Sequence, residues 1–215
     1  MYCGIDEAGR GPVLGPLVVA GVLVEETGLV QELGVKDSKK LSPSRRQELY
    51  GRITDMFEYH SIHLCAGDLD SMMKGMTLND IEVSLFASVI RELCPENTTV
   101  YMDAADVNPI KFARKVQVGL SKRVELISEH GADDRYPVVS AASIVAKVER
   151  DRAMEAIAAE VGMDVGSGYP SDRKTVRFLT EWVAEHGSLP PFARSSWKTS
   201  ADILGRNKNK KLTDF

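Results

Sequence analysis

Asp6 and Glu7 stand side by side in Cys3-Gly4-Ile5-Asp6-Glu7-Ala8-Gly9-Arg10-Gly11-Pro12, after a short apolar run and before an arginine flanked by glycines. Adjacent carboxylates repel unless a proton or a cation lies between them, and hard divalent ions such as Mg2+ are held by oxygen ligands of this kind. Gly9 and Gly11 let the backbone approach a ligand closely, and Arg10 brings a guanidinium suited to a phosphate. An acid pair beside an anion grip implies a metal and a phosphate. A surface Asp-Glu pair entering a glycine turn is the plain alternative if no other acid joins it. Other acids are present: Asp103 closes a β-rich segment, and Asp133-Asp134 precedes a long helical pattern that starts at Pro137.

The elements that must position these acids read as an α/β chain. Residues 2 to 7 and 13 to 24 are β-rich, and the nearly all-apolar Val13 to Val24 fits a central strand buried on both faces. Ser42-Pro43 opens a helix to about Phe57, serine serving as N-cap and proline as first helical residue. A strand over 58 to 66, an amphipathic helix from Thr77 to Leu93 and a short strand from Thr98 to Met102 follow. Next come a helix over about Pro109 to Gly119, a strand from Val124 to about Ile127, a helix from Pro137 to about Val161, and helices near 171 to 185 and 199 to 204. All the acids fall at element ends, and ligand sites in open α/β sheets gather at the carboxyl ends of strands, so the acids can converge despite their separation. Singly, Asp103 reads as a turn residue and Asp133 or Asp134 as a helix N-terminal residue favoured by the dipole.

A chain of 215 residues with 43% hydrophobic content fits one domain of moderate size with a full core. No run of 18 apolar residues and no basic, apolar and small-residue leader pattern is present, so the chain is expected neither to span a membrane nor to be exported. Cys3, Cys65 and Cys94 form no Cys-x-x-Cys pair, which argues against a disulfide framework or zinc ribbon and for a reduced, cytoplasmic protein. The net charge of −4 disfavours indiscriminate coating of nucleic acid. Charge is uneven, however: Arg194, Lys198, Arg206, Lys208, Lys210 and Lys211 face only Asp202 and Asp214 beyond residue 188, and Lys36, Lys39, Lys40, Arg45, Arg46 and Arg52 form a second basic cluster. Either could be a nucleic-acid contact or a solvated charged face.

Taken together, Gly4-Ile5-Asp6-Glu7-Ala8-Gly9-Arg10-Gly11-Pro12, Asp37-Ser38-Lys39-Lys40-Leu41, Met102-Asp103, Ala141-Ala142-Ser143-Ile144-Val145-Ala146-Lys147, Gly168-Tyr169 and Trp197-Lys198 resemble ribonuclease HII, the type 2 ribonuclease H, most of all its archaeal form. The resemblance covers nearly the whole chain. It implies a ribonuclease H-like fold, a mixed central sheet flanked by helices, with a catalytic domain over 1–165 and a helical C-terminal region over 166–215. It implies an endoribonuclease that cleaves the RNA strand of RNA/DNA hybrids and nicks 5′ of ribonucleotides embedded in duplex DNA, in primer and ribonucleotide removal. The family's four acids fall on Asp6, Glu7, Asp103 and Asp133, the last chosen over Asp134 by its spacing to Ala141-Ala142-Ser143. They would hold two Mg2+ or Mn2+ ions with substrate bound, giving 5′-phosphate and 3′-hydroxyl ends. Consecutive strand residues point to opposite faces, so Asp6 is expected to bridge the ions and Glu7 to be the most indirect ligand, through its backbone carbonyl if the strand stays regular.

The resemblance also assigns substrate contacts. Gly9-Arg10-Gly11 would read the ribonucleotide, whose 2′-hydroxyl separates RNA from DNA, and Tyr169 would pack on the sugar that follows it. Lys36 and Lys39 are candidates for phosphate contacts, and Lys147 is either structural or close to the acids. Lys210-Lys211-Leu212-Thr213-Asp214-Phe215 resembles a degenerate sliding-clamp tail, Leu212 and Phe215 entering a hydrophobic groove, with Asn209 where glutamine is usual; a frayed terminus is the equal alternative. The enzyme is expected to act as a monomer. A dinucleotide-binding turn at Gly9, Gly11 and Gly15 has the wrong spacing and lacks a following helix, and a non-catalytic hybrid-binding module would not need all four acids.

Overall fold

Pairing begins at β1 (Tyr2–Ala8), which lies at the centre of a five-stranded sheet. It runs antiparallel to β2 (Leu17–Val24) and parallel to β4 (Thr99–Asp103), which is itself parallel to β5 (Glu125–Glu129). With β3 (Glu58–Leu64) the order is β3-β2-β1-β4-β5, the mixed α/β sheet expected from the sequence. The computed structural model describes residues 1–35 and 41–213, with side chains described as far as Asn207.

Helix starts follow local chemistry. Ser42, Thr77 and Asn108 cap α2 (Pro43–Met56), α4 (Leu78–Leu93) and α5 (Pro109–Val118), each accepting from the backbone N–H three residues on. α7 (Pro137–Val161) has the expected limits, whereas α9 (Lys198–Thr213) runs well past the expected 204. Three short helices, α1 (Thr27–Glu32), α3 (Ala66–Met72) and α6 (Ala132–Arg135), have no counterpart in the sequence reading. α8 (Arg173–His186) ends on Gly187 in the left-handed region. Among the described residues no helix is long and apolar enough to cross a membrane.

The described chain divides into two compact units. The first holds residues 1–8, 18–63 and 76–149, and the second holds 9–17, 64–75 and 150 onward. The expected cut after residue 165 does not coincide with this division, because Val13, Leu14, Met154 and Val165 are buried in one apolar cluster with Phe178, Leu179 and Val183. For the same reason the apolar run from Val13 is not one strand. Gly15 takes φ +82°, Leu14 bridges Ala193, and regular pairing with β1 starts only at Val18.

In the first unit, Val18, Ala20, Val22 and Val24 of β2 join Leu49 and Ile53 of α2 and the apolar face of α7 in a single core. Alternation in β1 then decides what faces what. A Cβ on Gly4 would lie 2.2 Å from the backbone carbon and oxygen of Val138, so β1 and the start of α7 touch backbone to backbone on that face. Asp6, two residues on, shares this face, and Glu7 takes the other. Gly4→Ala is therefore expected to lower stability by more than about 3 kcal/mol or to prevent folding, since the obstacle is main chain and cannot rotate away. Urea denaturation of the purified variant measures this, and a midpoint equal to wild type would refute the close approach.

Candidate metal and nucleic-acid site

The parallel register carries Ile5 beside Met102 and Asp103 beside Glu129, so the carboxyl ends of β1, β4 and β5 lie together. Past β5 the chain turns through Gly131, in the left-handed region at φ +64°, and enters α6, whose second residue is Asp133. Asp6, Asp103 and Asp133 thereby each offer a carboxylate oxygen, and all three oxygens lie within 4.8 Å of one another. Asp6 and Asp133 are buried and Asp103 is partly exposed, while Asp134 is exposed and outside the cluster.

Each acid is held from the backbone side. Asp6 Oδ1 accepts from the Glu7 N–H at 2.8 Å. Asp103 Oδ1 accepts from the N–H groups of Gly131 and Ala132 at 2.9 and 3.4 Å, which ties β4 to the turn that delivers Asp133. Ser140 of α7 donates its hydroxyl to the Asp133 carbonyl. Burial pushes the Asp6 pKa up to about 6; the Lys147 ammonium and the Ser143 hydroxyl hold it down, Asp103 adds to the rise, and the Glu7 N–H opposes it. Lys147 in turn donates to Ser143, so Ser140, Ser143 and Lys147 supply one face of α7 to this cluster. Their spacing of three and four residues is the sequence signal for that face, and only Lys147 was singled out from it. Glu7 is not part of the oxygen cluster, as a β1 that stays regular through Ala8 requires.

Three hard oxygen donors from three elements, packed this closely and largely withdrawn from water, fit a divalent cation of the Mg2+ or Mn2+ type. With no cation between them the carboxylates must share protons or repel.

The second unit gathers Gly9, Arg10, Gly11 and Tyr169. Gly9 takes φ +88°, and a Cβ there would meet the Pro16 carbonyl at 2.5 Å and the Arg150 side chain at 2.8 Å. A Cβ on Gly11 would touch the Tyr169 ring edge at 3.7 Å, so the turn and the tyrosine are neighbours. Tyr169 is 41% exposed, a position from which it can meet a ligand, and the Arg150 guanidinium lies 5.3 Å from its ring centroid. Arg194, counted with the basic residues of the strip in the sequence, is instead fully buried. The signal was its setting in Leu189-Pro190-Pro191-Phe192-Ala193-Arg194, an arginine after an apolar stretch. Of the remaining candidates, Lys36, Lys39, Phe215 and the Leu212 side chain lie outside the described residues.

Comparison with known proteins agrees with this geometry. A family model described as Ribonuclease HII matches residues 3–200. The ribonuclease HII of Methanoregula boonei is 46% identical over 215 residues, covering all of both chains. The crystal structure of ribonuclease H2 from Pyrococcus horikoshii superposes with a TM-score of 0.90 at 37% identity, over 96% of this chain and 98% of that one. The ribonuclease HII of Archaeoglobus fulgidus, solved in complex with PCNA, superposes with a TM-score of 0.85 at 44% identity, over 92% and 95%. The chain belongs to the ribonuclease HII family, metal-dependent endoribonucleases that cleave the RNA strand of RNA/DNA hybrids.

Proposed function

We propose that this enzyme nicks duplex DNA on the 5′ side of an embedded ribonucleotide and cleaves longer RNA/DNA hybrids, with Asp6, Asp103 and Asp133 holding two Mg2+ or Mn2+ ions when substrate is bound. The observation that carries this reading is the meeting of three carboxylates within 4.8 Å, two from the carboxyl-end halves of β1 and β4 and one from the short helix after β5. Bound ions would supply an activated water and stabilise the departing 3′ oxygen, leaving 5′-phosphate and 3′-hydroxyl ends. The chain's own work is to fix the acids: Asp103 through the Gly131 and Ala132 amides, Asp6 through the Glu7 amide, and Asp133 through Ser140. Lys147 and Ser143 favour the ionised, ligating form of Asp6. Glu7 contributes indirectly, from the opposite face of β1. Gly9-Arg10-Gly11 and Tyr169 read the ribonucleotide and the sugar after it, and Lys36 and Lys39 contact phosphates.

A clamp-binding role for Leu212 and Phe215 is supported by the complex formed by the Archaeoglobus fulgidus relative. It assigns the tail to recruitment at replication forks and leaves hydrolysis to the acids.

Asp6→Asn, Asp103→Asn and Asp133→Asn are each expected to abolish cleavage of a duplex containing one ribonucleotide while preserving the fold, and Glu7→Gln to cost less than Asp6→Asn. Gel assays at saturating Mg2+ with circular dichroism as the folding control provide the test. Near-normal turnover by Asp103→Asn would refute the ligand set.

Stability supplies a second prediction. Burial holds the Asp6 pKa at about 6 in the folded protein against 3.8 for an unperturbed aspartate, so the folded state holds that proton more tightly. Its contribution to stability is full below about pH 4 and is lost as pH rises through about 6, a fall on the order of 3 kcal/mol. In EDTA, wild type should therefore lose stability relative to Asp6→Asn between pH 4 and pH 7, and Mg2+ should return it at pH 7. A difference between the two proteins that stays constant across this range in urea melts would refute the assignment.

Deleting Leu212 to Phe215 is expected to leave kcat/KM on short duplexes unchanged and to weaken affinity for a sliding clamp at least tenfold, measured by calorimetry. Equal clamp affinity of the two forms would refute the tail's role.

A further inference from the structure

Arg194 is buried without trace of exposure, and its guanidinium is spent on main-chain carbonyls. Nη2 donates to Gly9 O at 2.6 Å, Nη1 to Arg10 O at 3.1 Å and Nε to Gly15 O at 3.1 Å. Trp197, whose ring lies 4.8 Å from the Arg194 guanidinium carbon, donates Nε1–H to Gly11 O at 3.2 Å. Four carbonyls of the segment from Gly9 to Gly15 are thus gathered by two side chains.

Those side chains are themselves fixed. The Arg194 N–H donates to Val13 O at 2.9 Å, and its carbonyl accepts from the Ser200 hydroxyl at 2.7 Å. Asp70 accepts from both the amide and the hydroxyl of Ser195, at 2.6 and 2.8 Å, and of Ser196, at 3.0 and 2.5 Å, pinning the turn between Arg194 and Trp197.

Peptide geometry turns this anchoring into a directional statement. In a trans peptide the N–H points opposite to the C=O, and no cis bond occurs among the described residues. The peptide units anchored at Gly11 O and Gly15 O continue into Pro12 and Pro16, which carry no N–H. The units anchored at Gly9 O and Arg10 O carry the N–H groups of Arg10 and Gly11. These two amides therefore face away from Arg194, and the Tyr169 ring edge borders Gly11.

We infer that Arg194, seconded by Trp197, is a positioning residue for ribonucleotide discrimination: it sets the orientation of the Gly9-Arg10-Gly11 main chain from behind, and so the aim of the Arg10 and Gly11 amides at the sugar hydroxyl. This rests on the proposed reading of that turn as the ribonucleotide sensor. A lysine at 194 keeps a positive charge but has no planar fork, and it cannot span three carbonyls that approach from different directions.

The test uses the full-length enzyme with three substrates: a DNA duplex holding one ribonucleotide, its all-DNA counterpart and a long RNA/DNA hybrid. Arg194→Lys and Trp197→Phe are compared with wild type for KM and kcat, with thermal melting and calorimetric Mn2+ affinity as controls. The expected result is a loss of about tenfold in kcat/KM on the single-ribonucleotide duplex for Arg194→Lys and about fivefold for Trp197→Phe, carried mainly by KM. The loss on the long hybrid should be at least threefold smaller, because many registers and phosphate contacts supply affinity there. Mn2+ affinity should match wild type. Equal losses on both ribose-containing substrates, or an unchanged ratio, would overturn the inference and leave Arg194 a packing residue. Should Arg194→Lys fail to fold, Trp197→Phe decides by the same ratio. If wild type itself cleaved the all-DNA duplex as fast as the single-ribonucleotide duplex, the reading of the turn would fall, and the role of Arg194 with it.

Discussion

Three carboxylates within 4.8 Å of one another repel, and the parallel pairing of β1, β4 and β5 is what holds them there. Parallel strands begin at one edge of a sheet and end at the other, so an acid just past the last β1–β4 pair and the acid that closes β4 are neighbours by construction. The third acid arrives differently. β5 ends four residues short of Asp133, and the left-handed Gly131 turns the chain so that α6 presents it. Because Asp103 accepts from the amides of that same turn, the ligand on β4 and the loop that carries the ligand on α6 cannot be placed independently. A one-residue slip of β1 against β4 would exchange Asp6 for Glu7 on the α7 face and dismantle the cluster.

The backbone contact at Gly4 serves the same end. Where β1 touches Val138 with no side chain between them, α7 is brought onto the strand, and Ser143 and Lys147 two turns along the helix come to act on Asp6. Lys147 offsets part of what burial costs the ionised carboxylate without entering the oxygen set. A second carboxylate in its place would drive Asp6 further toward its neutral form, which is a poor ligand.

Much of this was legible because the signals were local. Ser42-Pro43, Thr77 and Asn108-Pro109 are start signals that act within one turn, and they locate α2, α4 and α5. The acids were legible as a set because each falls at or near an element end, and ligand sites in open α/β sheets gather at the carboxyl ends of strands. What escaped depends on contacts distant in sequence. The run from Val13 to Val24 looks continuous in composition, yet Gly15 at φ +82° breaks it and Val13 and Leu14 pack against residues 154 to 193. α1, α3 and α6 span 6, 7 and 4 residues, too short for periodicity to register. Arg194 escapes because a charged residue near other charged residues suggests a solvated face or a nucleic-acid contact, and nothing local reveals that its partners are carbonyls some 180 positions earlier.

The choice of carbonyls as partners for a buried arginine has a consequence that a carboxylate would remove. Burial lowers the Arg194 pKa to about 10, with Arg150 adding to the fall, so the group stays charged at neutral pH. Carbonyl oxygens satisfy its N–H donors while leaving its net charge in place; an aspartate would satisfy the donors and cancel the charge. Arg150 follows the same pattern, donating to Ser167 O at 2.8 Å and lying against the Tyr169 ring, with Asp151 no nearer than 4.0 Å. Both buried guanidiniums thus have main-chain oxygens and an aromatic ring as their nearest contacts. The first unit concentrates negative charge at Asp6, Asp103 and Asp133. A nuclease needs both signs, since the phosphate it cuts and the cations that cut it carry opposite charge.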